Sequence, residues 1–471
     1  MNMHDEKIQV IKDKFKNNFD IVYRELQTDR GTIHVVFDGI MCDSSFISDF
    51  ILRPLMSSQD IGVNIEKIIG EILPAKTIAF ADSLDTAIVK ILSGDAILLF
   101  PGIDKIVTCD AKGYNIRGIG VPTAETVLKG PREGFTEDVI TNVTQIRRRI
   151  KDSMLKFEPF QLGAKSNSLV ILCYIEGYAP KQLVDLVKKS LTEIKEDFIL
   201  SSNFIEERLK AKHTIFDTVG YTEKPDTAAS KLAEGRVVIL VDGTPIAVTL
   251  PHFFVEIFQT PDDYYLNKYI ANIARFLRWI AFAIATLLPG FYIALVCYHT
   301  NLVPTIFVFR FAAGRAGIPF PTSVEVVMLF LFFMLIREGS VRLPQPLGSS
   351  ISIVGALILG DALVQSALAS NITLIVIALS SICSFLVPKI YGAISMWNFI
   401  IIVFSSLVGL PGFYVSFILM VSHIAGLDSC GYPYLYPLGT LKILNLRDIG
   451  LRDDLDKVSN NLFERNEDAR K

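Results

Sequence analysis

Charge is almost missing from one long stretch of this chain. Of its 46 Lys and Arg and 49 Asp and Glu, only nine fall between Trp279 and Leu441. They are Arg310, Arg315, Glu325, Arg337, Glu338, Arg342, Asp361, Lys389 and Asp428. The six cysteines (Cys42, Cys109, Cys173, Cys297, Cys383, Cys430) include no C-x-x-C pair, which argues against structural zinc and a disulfide framework. Six scattered histidines, no H-E-x-x-H, no phosphate loop and no G-x-G-x-x-G after a strand argue against an enzyme and call for no cofactor and no metal. No basic stripe marks a nucleic-acid partner. The N-terminal MNMHDEKIQVIKDKFKNNFD has no apolar core, so it does not read as a signal peptide, and the polar part is expected in the cytoplasm.

What remains is a chain of ordinary composition up to about residue 270, followed by apolar runs long enough for bilayer spans, which need roughly 18 or more apolar residues. The fold class expected is an α/β N-terminal region of two small lobes followed by an all-α polytopic membrane domain. The boundaries are 1–155 for the first lobe with a connecting helix, 156–270 for the second, 271–430 for the membrane domain and 431–471 for a polar tail. In the first lobe, GTIHVVFDG, AKTIAFAD and AILLFPG read as strands. SLDTAIVKIL reads as a helix capped by Asp82 or Ser83, and KIVTCDAKGYNIRG as a hairpin. FTEDVITNVTQIRRRIKDSMLKF has helical spacing with Thr136 as its cap. Its Arg147-Arg148-Arg149 cluster reads as a solvated face or as a docking surface for an acidic partner or lipid headgroups. In the second lobe, SLVILCYIEGYAPKQLVDLVKKSLTEI reads strand, turn, helix. RVVILVDGTPIAVTLP is the clearest hairpin, turning at Asp242-Gly243.

Five spans are expected, at 276–299, 319–337, 351–369, 372–391 and 396–425, with PTIFVFRFAAG as a re-entrant or interfacial piece. Lys268, Arg275 and Arg278 place the start of the first span inside. Five crossings would put the tail outside, whereas its charge favours the cytoplasm. Glu325 and Asp361 are intramembrane acids, which face the bundle interior or water, or hydrogen-bond a neighbouring helix. Around Asp361 stand Ser352, Gly355, Gly360, Ala362, Gln365 and Ser366, suited to close helix packing or to a wetted pore wall. LPGFY occurs twice, with Pro289-Gly290 and with Pro411-Gly412. Each proline is expected to free a carbonyl one turn earlier, near Ala285 and Leu407, and each glycine to admit a neighbour or a bend. The tyrosine hydroxyls are placed to reach a freed polar group.

Three stretches carry a resemblance: GPREGFTEDVITNVTQIRRRI, EGRVVILVDGTPIAVTLPHFFVEIFQTPDDYY and PFPTSVEVVMLFLFFMLIREGSVRLPQPLGSSISIVGALILGDALVQ. Together they resemble the A subunits of GerA-type spore germinant receptors and the related SpoVAF-type proteins, from about residue 30 to 440. The resemblance implies the spore inner membrane and a complex with a permease-like, nutrient-binding B subunit and a lipoprotein C subunit. It also implies a homo-oligomer forming a nutrient-gated cation channel. On that reading Ser350–Ala369 lines the path, with Ser352, Gly355, Asp361 and Gln365 as its wall and Asp361 as a ring of negative charge. The two LPGFY segments flank it as hinges or fixed bends. A secondary transporter built on two repeats is the competing reading. A membrane-anchored enzyme or scaffold is the third.

Overall fold

The computed structural model describes residues 3–28, 31–57, 68–74, 77–113, 125, 127–342, 360–438, 448 and 450–454. The first lobe runs α1 (Met3–Lys14), β1 (Ile21–Thr28), β2 (Gly31–Asp38), a helical segment over Ser44–Ser57, β3 (Ile78–Ala81), α2 (Leu84–Ile91), β4 (Asp95–Leu99) and β5 (Ile106–Asp110). The strands form one antiparallel sheet in the order β1-β2-β4-β5-β3. Ser83 caps α2, its hydroxyl accepting the Thr86 N–H at 3.1 Å. The β5 strand ends at Asp110, and residues 114–118 of the expected hairpin lie outside the described residues.

The second lobe runs α3 (Val139–Arg149), β6 (Leu155–Leu162), β7 (Ser168–Ile175), α4 (Lys181–Thr192), α5 (Asn203–Leu209), β8 (Gly220–Thr222), α6 (Pro225–Ala233), β9 (Val237–Val241) and β10 (Ala247–Leu250). Its sheet order is β6-β7-β9-β10-β8, again antiparallel, so the two lobes repeat one connectivity. The packing repeats as well. Ile8 and Ile11 of α1 meet Ile88 and Ile91 of α2 on one face of the first sheet. Val143 and Ile146 of α3 meet Ala228 and Leu232 of α6 on the matching face of the second. By that packing α3 belongs to the second lobe rather than the first. Its cap is Asp138, whose carboxylate accepts the Thr141 N–H at 2.9 Å; Thr136 instead donates its own N–H to Asn142 Oδ1 at 2.8 Å.

The helical bundle follows: α7 (Lys268–Ile293), α8 (Thr305–Gly314), α9 (Thr322–Arg342), α10 (Asn371–Ser384), α11 (Tyr391–Val408) and α12 (Leu410–Ala425). The long run at 396–425 is two antiparallel helices, not one span. Gly409 takes φ +75°, a conformation glycine adopts without steric cost, and reverses the chain. His423 of α12 then lies beside Trp397 of α11, and Gly412 beside Phe404.

Contacts orient each helix. At the lobe end, Lys389 Nζ donates to Glu125 Oε1 at 2.6 Å and Phe216 packs among Ile390 and Ile424. At the distal end, the Tyr298 hydroxyl donates to the Ser406 carbonyl. Helix α7 runs away from the lobes, α9 and α10 both run toward them, α11 away and α12 back. The described residues that follow α12 return to the lobe side. Ser429 Oγ donates to the Thr218 carbonyl at 2.5 Å, Tyr434 OH to the Asp217 carbonyl at 2.9 Å, and Arg275 Nη1 to Asp448 Oδ1 at 2.7 Å. The break at Gly409 divides the last of the five expected spans in two, and residues 351–359 of the third lie outside the described residues. By length and composition, Lys268–Tyr298 and Pro388–Val408 are long and apolar enough to cross a bilayer.

Candidate functional site in the helical bundle

The first LPGFY lies inside α7, which continues through Pro289. Proline supplies no N–H to the carbonyl one turn before it. That carbonyl, of buried Ala285, accepts from Ser380 Oγ at 2.9 Å and from Asn398 Nδ2 at 2.5 Å, side chains of α10 and α11. Gly290 lets α11 come close: a Cβ there would stand 2.5 Å from Ile401 Cγ2. The Tyr292 hydroxyl is 3.1 Å from Thr373 Oγ1 on α10.

The second LPGFY is built differently. Pro411 stands in the first turn of α12, where a backbone N–H has no intrahelical acceptor, so it frees no mid-helix carbonyl near Leu407. Gly412 packs against the α11 backbone, and a Cβ would overlap the Phe404 carbonyl oxygen. Tyr414 is exposed, while Phe413 stacks obliquely on Phe291, ring centroids 5.5 Å apart. The two copies thus touch each other without being equivalent.

Glu325 is fully buried in the first turn of α9. Its Oε1 accepts the backbone N–H of Ser370, the residue that caps α10, and Ser370 Oγ is 2.7 Å from Thr373 Oγ1. An acceptor at a helix N-terminus satisfies an orphan donor and complements the dipole. Glu325 therefore ties α9 to α10 beside Tyr292.

Asp361 and Gln365 occupy the helical stretch 360–365, one turn apart and both exposed, while Leu363 between them is buried against the cluster of Val326, Leu329 and Phe330. Ser352 and Gly355 lie outside the described residues. The cavity between α7, α9, α10 and α11 measures about 30 Å³ and is lined by Arg337, Ser380, Ser384, Ser395 and Asn398 among others. That is room for one water.

A larger cavity, about 460 Å³, opens where the second lobe meets the bundle, between Tyr221, Asp226, Lys231, His252, Glu256, Tyr265 and Lys389. Burial alone would raise the Glu256 carboxyl, but Arg236 and Lys231 beside it hold it well below the usual carboxylate range. Among the described residues, no group of three or more His, Cys, Asp or Glu could hold a metal ion.

The Arg147-Arg148-Arg149 cluster differs from the expectation. Arg147 is buried and pairs with Asp20 of the first lobe, and Arg149 pairs with Glu133 at 2.5 Å, so neither is a free docking charge. Arg275 and Arg278 are buried on Asp263. Asn398 and Ser380 escaped the sequence reading. Their signal is a polar residue recurring inside the apolar runs SMWNFIIIVFSS and NITLIVIALSSICSF.

The family described as Bacillus/Clostridium GerA spore germination protein matches residues 9–461. The "Uncharacterized membrane protein YfkQ" of Bacillus subtilis (strain 168) is 35% identical over 439 residues, covering 92% of this chain and 85% of that protein. "Spore germination protein KA" of the same strain is 34% identical over 451 residues, covering 94% and 83%. The crystal structure of the N-terminal domain of the A subunit of the Bacillus megaterium spore germinant receptor GerK3 is 30% identical. It covers 53% of this chain and 95% of that one, with a TM-score of 0.41. The family match over nearly the whole length, with relatives at this identity, means that the chain belongs to the GerA family of spore germination proteins.

Proposed function

We propose that this chain is the membrane subunit of a spore germinant receptor in the spore inner membrane, with both lobes cytoplasmic. Several copies surround a shared path that conducts cations when a nutrient binds a permease-like B subunit, and a lipoprotein C subunit completes the complex. The carrying observation is the exposed pair Asp361 and Gln365 on the outside of a bundle whose own interior cavity holds about 30 Å³. A carboxylate presented to lipid is costly, whereas one presented to an aqueous path between copies stays hydrated. The transporter reading loses its main support, because the two LPGFY segments occupy different positions in their helices.

The test is reconstitution in liposomes together with the partner subunits, measuring potassium and chloride flux. Asp361→Asn is expected to lower cation over anion selectivity severalfold with unchanged assembly. A monodisperse monomer in nanodiscs, or unchanged selectivity, refutes the proposal.

A further inference from the structure

One guanidinium joins the two lobes, and it faces more acid than it neutralises. Arg147, on α3 of the second lobe, donates through Nε to Asp20 Oδ2 at 3.1 Å, a residue that precedes β1 in the first lobe. Its Nη1 donates to the Asp152 and Leu155 carbonyls, both at 3.3 Å, and its plane lies over the Phe157 ring at 4.6 Å. Asp38, at the end of β2, brings Oδ2 to 3.9 Å from Arg147 Nε without a hydrogen bond. Asp20 Oδ1 also lacks a partner. All three side chains are 1% exposed.

The surrounding groups do not restore balance. Asp38 Oδ1 accepts the N–H groups of Ile40 and Met41 at 2.9 and 3.0 Å, and the Cys42 thiol stands beyond. Tyr23 lies near Asp20, and Cys173 of β7 near Arg147. The buried Lys156 ammonium donates to the Lys14 carbonyl at 2.8 Å, across the same interface, and is 3.7 Å from Glu176. Counting Arg147, Lys156, Asp20, Asp38 and Glu176 as ionised gives two positive and three negative charges. A bridge pairing Asn18 with Phe157 is the backbone contact beside this cluster.

We propose that Asp20, Asp38 and Arg147 form a proton-operated latch between the lobes: a proton on Asp38 lets the guanidinium serve Asp20 alone and holds the lobes together. Loss of that proton places a second buried negative charge against one arginine and loosens the contact. Burial, reinforced by the Asp20 charge and opposed by Arg147 and the two N–H groups, pushes the Asp38 carboxyl up to about 7. An exposed aspartate titrates near ~3.9. The closed lobes therefore hold a proton that the separated lobes release between these values. The latch is strongest below about pH 4, weakens as pH rises, and levels off once pH passes about 7.

The test is amide hydrogen exchange of the full chain in nanodiscs between pH 5 and 8, corrected for intrinsic exchange and read over residues 15–23 and 153–158. Protection is expected to fall by up to ~tenfold per pH unit from 5 to 7 and then flatten. Asp38→Asn should abolish the slope. Asp20→Asn frees Arg147 for Asp38 and should move the plateau to lower pH, which keeps the test informative if Asp38→Asn does not fold. Protection that is flat in the parent, an undiminished slope in Asp38→Asn, or an unmoved plateau in Asp20→Asn overturns the latch.

Discussion

The Ala285 carbonyl offers a quantitative test of how a proline is accommodated in this bundle. Replacing Ser380 and Asn398 together by alanine removes both side-chain donors that reach it. With Pro289 in place no backbone N–H can substitute, so a buried carbonyl is left unpaired. Such an orphan costs about 1–3 kcal/mol, although polar contacts between helices in lipid average only about 0.6 kcal/mol. The double variant is therefore expected to lose about 1–3 kcal/mol. Pro289→Ala restores an N–H that can donate to residue 285 along the helix. In that background the same double change should cost about 1 kcal/mol less. The difference between the two costs is the coupling, and it must exceed the ~0.3–0.5 kcal/mol scatter of independent sites. Chemical unfolding in mixed micelles measures it, followed by tryptophan fluorescence. Both tryptophans, Trp279 and Trp397, lie in bundle helices, so the signal reports this part of the chain. Equal costs in the parent and in the Pro289→Ala background refute the reasoning, because Ser380 and Asn398 would then stabilise the bundle by some route other than this carbonyl.

Two further outcomes follow from the packing. Gly412→Ala should force α12 away from the Phe404 carbonyl and cost about 1–3 kcal/mol in the same assay. Unchanged stability would mean that α11 and α12 do not approach this closely. Glu325→Gln retains an acceptor for the Ser370 N–H and should be mild, whereas Glu325→Leu strands that donor and should cost about 1–3 kcal/mol. Equal effects of the two substitutions would rule out the cap on α10.

The strands, the lobe helices and the apolar half were legible because each rests on local pattern: alternation and β-branched runs for strands, helical spacing with caps, and scarcity of charge for the bundle. The freed carbonyl at Ala285 was legible for the same reason, since a proline acts on its own helix. What only the tertiary structure decided depends on residues far apart in sequence. The break at Gly409 looks like any glycine in an apolar run until Gly412 is seen against Phe404. The repeated strand order of the two lobes is a property of pairing, without a counterpart in local composition. Arg147 reads as part of a solvated or docking face because its acid, Asp20, lies more than a hundred residues away. Burial of a charge is set by the partner that the fold delivers, and that partner is invisible to any local window of sequence.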